Sequence, residues 1–207
     1  MKSIFNFLID VGKLKKVERK GISFYGVKTP DSATDHAYRM AMMVWVLGKE
    51  KKINTERALK IALIHDICKI LTGDITPYDG LLPRDRKKRA EFVRRWRRLL
   101  LHEKEKRCAE KFKKECRALE KLISKLPSKI KREIQGAWVD YHKGKSSEAK
   151  FVCQLDVVEN LLEALEWYRK NKKFPTQPWW EHAEEVIDDP VLLEFLEEIE
   201  RQELKTK

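Results

Sequence analysis

An all-α fold is predicted by three observations. Glycine and proline are scarce, at 8 and 7 in 207 residues, which leaves few tight turns for strand connections. Apolar residues recur at three- and four-residue spacing along most of the chain, and no stretch alternates with period two. Charged residues make up 38% beside an apolar share of 42%; the former is well above the usual quarter and suits long helices with one solvated face. The length suits a single domain, read here as residues 1–207 with a core over 4–170, a basic insert over 84–106 and a C-terminal helical extension over 178–206.

The first helix is predicted over Ile4–Val17, with Ile4, Phe5, Leu8, Val11 and Leu14 on one face. A loop follows from Arg19 to Asp31, carrying Gly21, Gly26 and Pro30. Ser32 is a candidate N-cap with Asp35 as an acidic capping-box partner, and the second helix runs from there to Leu47. Asn54 or Thr55 caps a third that reaches Leu71, where Gly73 and Pro77 open a polar loop to Pro83. From Arg84 to Leu126 the pattern is helical and very basic. Pro127-Ser128 starts a further helix, Lys129–Tyr141, which Gly144 breaks. Ser146-Ser147 caps a long helix with apolar residues at Phe151, Val152, Leu155, Val158, Leu161, Leu162 and Leu165. The Pro- and Trp-rich stretch Phe174–Trp180 reads as a packing corner rather than a ligand stack. A helical region interrupted at Asp189-Pro190 closes the chain.

The net charge of +12 is unevenly placed. Residues 84–145 hold 23 Lys and Arg against 9 Asp and Glu, a net of +14, which leaves 22 basic and 24 acidic residues, a net of −2, elsewhere. Within this stretch Arg84–Arg89 and Arg94–Arg98 are dense in arginine, with Trp96, Leu99 and Leu100 as a packing edge. Three readings stand: an electrostatic funnel for phosphorylated substrate, a nucleic-acid contact through 84–145, or a solvated helix surface paired with the acidic stretch Glu194–Glu203. The four cysteines form no C-x-x-C pair, and no leader-like segment is evident, so a reducing, cytoplasmic setting is expected. No apolar run approaches the ~20 residues of a membrane span.

Four residues with metal-ligand chemistry fall on three predicted helices: His36, the adjacent pair His65-Asp66, and Asp156. Imidazole suits the later first-row divalent ions, and carboxylates widen the choice toward manganese and magnesium. Taken singly, each has a plain alternative, a hydrogen-bonded core histidine or a helix-surface aspartate.

Three blocks then carry a resemblance. Asp31-Ser32-Ala33-Thr34-Asp35-His36-Ala37-Tyr38-Arg39-Met40-Ala41, His65-Asp66 with Thr72-Gly73-Asp74-Ile75-Thr76-Pro77, and Glu148 to Asp156 (EAKFVCQLD) resemble the HD-domain phosphohydrolases, in the branch of the 5′-deoxynucleotidases. The likeness spans Phe7 to Tyr168. It implies an all-α, commonly dimeric enzyme that removes phosphate from (deoxy)nucleoside 5′-monophosphates. It also implies one divalent ion (Mn, Co, Mg, Zn, Fe or Ni) on His36, His65, Asp66 and Asp156. Asp74 then stands beside the attacking water or leaving group. Arg19, Lys20 and Arg39 become the candidate substrate contacts; Arg39 has a structural ion pair as its competing role.

One position departs from the pattern. The family places Glu four residues after the motif histidine, and here that position is Lys69. On a continuous helix the spacing puts Lys69 on the face of His65. A lysine there is a phosphate clamp, the mark of a weakened or redirected hydrolase, or the sign of a scaffold that only binds nucleotide or nucleic acid. Retained hydrolysis is preferred, since all four ligands and Asp74 are present. In the loop Arg19–Tyr25, Ile22 stands where an aromatic is expected, which bears on base and sugar selectivity.

Overall fold

The three side chains singled out as helix caps all act as caps in the computed structural model, which describes residues 1–76, 79–81, 83, 85, 88, 91–92 and 100–205. Ser32 and Asp35 exchange bonds as a capping box: the Ser32 N–H donates to Asp35 Oδ2 at 2.8 Å, and the Asp35 N–H to Ser32 Oγ at 3.2 Å. The Asn54 side chain accepts from the Arg57 N–H at 3.0 Å, and Ser146 from that of Ala149 at 3.0 Å. Each satisfies a first-turn N–H that has no partner within its own helix.

The described helices are α1 Lys2–Val11, α2 Lys20–Ser23, α3 Ala33–Leu47, α4 Thr55–Ile64, α5 Lys69–Thr72, α6 Leu101–Ile123, α7 Ser128–Lys143, α8 Ser147–Lys170, α9 Gln177–Val186 and α10 Pro190–Lys205. Among the described residues the β-type pairing is an isolated antiparallel bridge between Glu18 and Ser32. The chain is therefore all-α. None of its described helices is long and apolar enough to cross a membrane.

The chain divides into two compact units, Met1–His36 with Asp66–Gln135, and Ala37–His65 with Gly136–Lys207. The division falls between consecutive residues at His36-Ala37, inside α3, and at His65-Asp66. In the first unit α1 and α5 pack on α6, and Leu14, Ile22, Ile67, Cys68, Leu119 and Ile123 are buried. In the second, α8 is the central helix, with α4, α9 and α10 against it. Phe151, Val152, Leu155, Val158 and Leu161 are each 0–1% exposed and join Met40, Val44, Ile61 and Leu192 in one core. Trp179 and Trp180 pack on that core, with the Trp179 ring 5.5 Å from that of Phe174, as the packing-corner reading expects.

Several boundaries differ from expectation. The first helix stops at Val11 instead of Val17; a 3₁₀ turn over Gly12–Lys16 follows and buries Leu14, while Phe5 and Leu8 stay exposed. The loop after Arg19 contains the short helix α2. The third helix is broken: after Ile64, residues His65–Cys68 form turns, and the amides of Lys69, Ile70 and Leu71 donate three residues back instead of four. Apolar spacing hides this break, because Ile67 and Cys68 keep the buried stripe going through it. Gly73, at φ +67°, then turns the chain sharply in a conformation that suits glycine. Most of the arginine-dense segment (Arg84, Arg86-Lys87, Arg89, Arg94–Arg98), the edge residues Trp96 and Leu99, and Pro77 lie outside the described residues.

Candidate functional site

His65 closes α4, and its ring is fixed by the main chain. The ring Nδ1 lies 2.7 Å from the Ala62 carbonyl oxygen. A carbonyl only accepts, so Nδ1 is the donor; in the neutral ring that tautomer puts the lone pair on Nε2, the arrangement found in metal-ligating histidines. The ring also sits 5.0 Å from that of Tyr141 on α7. Tyr141 donates its hydroxyl to Asp156 Oδ2 at 2.7 Å, and Asn160, one turn along α8, donates to Asp156 Oδ1 at 2.9 Å. Both carboxylate oxygens of Asp156 are thus oriented by neighbours. His36 and His65 are buried, and the ligand atoms of His36, His65 and Asp156 all lie within 4.8 Å of one another. Two imidazole nitrogens and one carboxylate suit a first-row divalent ion, so the residues present fit the group that the sequence implies.

Cys153, one turn before Asp156, is not in this group. Burial first, then the Asp156 and Asp140 carboxylates, push its thiol up to about 12, and its Sγ donates to the Tyr141 carbonyl at 3.2 Å. It therefore stays a thiol at neutral pH.

Asp66, Lys69 and Asp74 are brought together in the first unit. The Lys69 ammonium lies 2.7 Å from Asp66 Oδ2 and 2.7 Å from Asp74 Oδ1. With the helix broken at His65, Lys69 meets Asp66 one turn back and Asp74 beyond the Gly73 turn. Burial opposes the Lys69 charge, but the two carboxylates overcome it and raise its pKa above the ordinary lysine value. Asp74 shows the converse: burial opposes its charge, while Lys69 and the Lys20 N–H hold its carboxyl below the usual range. That N–H donates to Asp74 Oδ2 at 2.8 Å, so Asp74 is held at both oxygens.

The remaining expected residues are placed as follows. Arg19 is buried and its N–H donates to the Asp31 carbonyl at 3.0 Å. The Lys20 ammonium lies 3.1 Å from Asp79 Oδ2, and the Asp79 carbonyl accepts from Arg107 on α6 at 3.2 Å. Arg39 is 2.9 Å from Glu159 and 2.5 Å from Glu166, both on α8, which favours the structural of its two roles. Three further residues were not anticipated: Tyr141, Asp79 and Glu115. Glu115, on α6, is 2% exposed, with Lys111 at 3.7 Å. Burial, the larger cause, and the charges of Asp66 and Asp74 raise its carboxyl, against the pull of Lys111 and Lys69. The one signal available for Glu115 was an acidic residue beside the buried stripe that carries Ala118 and Leu119.

Comparison with known proteins shows the family. The HD domain family matches residues 11–189. A Xenopus laevis protein named 5'-deoxynucleotidase HDDC2 is 36% identical over 172 residues, covering 83% of this chain and 73% of the relative. The Homo sapiens protein of the same name is 30% identical over 202 residues, covering 97% of this chain and 86% of the relative. Among solved structures, a conserved hypothetical protein from Pyrococcus furiosus superposes with a TM-score of 0.67 at 25% identity, covering 95% of this chain and 99% of that one.

Proposed function

We propose that this chain, which belongs to the HD-domain family, is a metal-dependent phosphomonoesterase that hydrolyses (deoxy)nucleoside 5′-monophosphates to nucleoside and phosphate. The observation that carries this reading is the His36, His65 and Asp156 group, in a chain whose relatives are named 5'-deoxynucleotidases.

In this reading His36, His65 and Asp156 would hold the ion, with Asp66, whose Oδ2 lies 2.7 Å from the Lys69 ammonium, as the fourth expected ligand. When bound, a divalent ion lowers the pKa of water and polarises a phosphoryl oxygen. Asp74, ionised and held at both oxygens, accepts a hydrogen bond from the attacking water and orients it. Arg19 and Lys20 hold the phosphate; the Lys20–Asp79 pair is partly exposed and weak, so a phosphate dianion can take the place of Asp79. Lys69 does not act as a base, since its ammonium is kept charged between two carboxylates. The free state of all four cysteines supports a reducing, cytoplasmic location.

A homodimer is part of the proposal. Tyr38, Met42, Trp45 and Val46 are 68, 38, 53 and 59% exposed and share one face of α3, which a twofold-related copy could cover with the same face. Light scattering coupled to gel filtration should give twice the chain mass, and Trp45→Glu should give the monomer.

Phosphate release measured over a panel of ribo- and deoxynucleoside monophosphates with Mn²⁺, Co²⁺ and Mg²⁺ tests the activity. Turnover with at least one pair is expected; none, from a protein shown to carry metal, would remove the reading. The rival, a nucleic-acid-binding protein on an inactive scaffold, rests on the local +14 of residues 84–145. It predicts tight binding that weakens steeply between two salt concentrations, with no phosphate released.

A further inference from the structure

We propose that Lys69 is a positioning residue: its ammonium, 2.7 Å from Asp66 Oδ2 and 2.7 Å from Asp74 Oδ1, fixes the orientation of both carboxylates. The inference deepens the phosphomonoesterase reading and rests on it for its consequence in catalysis, though not for the geometry.

The local chain is built for this bridge. The Lys69 N–H donates to the Asp66 carbonyl at 3.0 Å, and the Gly73 N–H to the Lys69 carbonyl at 2.8 Å. Lys69 is thereby tied by main-chain bonds to the residue on one side of its ammonium and to the turn that delivers the residue on the other. Lys69, Asp66 and Asp74 are all largely buried, with side chains 9, 15 and 11% exposed. Attraction between such groups is little screened by water. The second oxygen of Asp74 is occupied by the Lys20 N–H, so the Lys69 contact completes its anchoring.

The neighbouring charges explain why a cation belongs here. Glu115 is buried on α6, the helix that packs on α5. Asp66, Asp74 and Glu115 all interact electrostatically with Lys69, and Arg19 adds a second positive charge to the surroundings. A carboxylate at position 69 would meet Asp66 and Asp74 at contact distance, with like charges in a poorly screened site. The family's usual glutamate therefore does not suit this chain. Restoring it should damage the site, whereas an arginine, which keeps the charge, should preserve it.

The experiment compares the full-length protein with Lys69→Arg, Lys69→Met and Lys69→Glu. The Asp74 carboxyl is titrated by NMR with selectively ¹³C-labelled aspartate, assigned with Asp74→Asn, beside phosphate-release kinetics. The Asp74 midpoint should move upward by about one pH unit or more in Lys69→Met, the tenfold change in proton affinity expected when a contacting opposite charge is removed. It should stay near the wild-type value in Lys69→Arg. Lys69→Met should lower kcat at least tenfold with KM within threefold. Lys69→Arg should keep most activity, and Lys69→Glu should be the least active. An unmoved Asp74 midpoint in Lys69→Met, or a Lys69→Glu as active as wild type, overturns the proposal. If the midpoint moves but no chain releases phosphate, the positioning role stands and the phosphomonoesterase reading falls. If Lys69→Met does not fold, the Lys69→Arg and Lys69→Glu pair decides.

Discussion

At the scale of single residues, the account depends on neighbours that orient the functional groups. Tyr141 is the clearest case, bonded to Asp156 at 2.7 Å and lying against the His65 ring. Tyr141→Phe keeps the ring and removes the bond, so it should weaken metal affinity about 10–100-fold, the usual cost of losing a group that orients a ligand. Calorimetric titration of the metal-free protein with Mn²⁺ measures it, and unchanged affinity would remove Tyr141 from the site. The ligand-type residues themselves were legible from chemistry and family likeness, because His36, His65, Asp66 and Asp156 sit in recognisable blocks. Tyr141, Asp79 and Glu115 were not. Each acts through a contact far along the chain or through burial, and none has a residue type that announces the role. Lys69 was legible as an anomaly but not as a bridge, because its partners follow from the helix break and the Gly73 turn.

At the scale of elements, capping chemistry gave reliable helix starts, whereas apolar spacing gave unreliable ends. Ser32, Asn54 and Ser146 each make the expected side-chain bond to a first-turn amide. Ser146→Ala should cost about 1 kcal/mol of stability, read as a shift in the urea midpoint at unchanged slope. In α8, the helix around which its unit is built, Leu155 is 0% exposed, and Leu155→Ala should cost about 2–5 kcal/mol in the same measurement. A change of only a few tenths would contradict the central place given to α8. The break at His65 escaped prediction because a 3₁₀-type turn and an α-helix bury similar apolar positions over one turn. Past the break, the Lys69 ammonium lies 2.7 Å from both the Asp66 and the Asp74 carboxylates.

At the scale of the whole molecule, the buried charges tie stability to pH. Asp74 has its folded carboxyl below the usual range. The stability it contributes is therefore complete above the unfolded carboxylate value of about 4 and is lost as pH falls through the lower folded value. Melting temperatures over an acid series should show this loss, and Asp74→Asn should flatten it. The all-α class was legible throughout, from composition and spacing alone, while the partition of charge between a +14 segment and a near-neutral remainder pointed to phosphate without naming its carrier. In the proposed function, the His36, His65 and Asp156 group holds a metal on which phosphate release depends. The most direct measurement is phosphate release from deoxynucleoside 5′-monophosphates by protein of known metal content, before chelation, after it, and after Mn²⁺ or Co²⁺ is returned. About one metal per chain is expected, with activity lost on chelation, restored on return, and absent in His65→Ala. Turnover that survives complete removal of the metal, or no turnover from the metal-loaded protein, would contradict it.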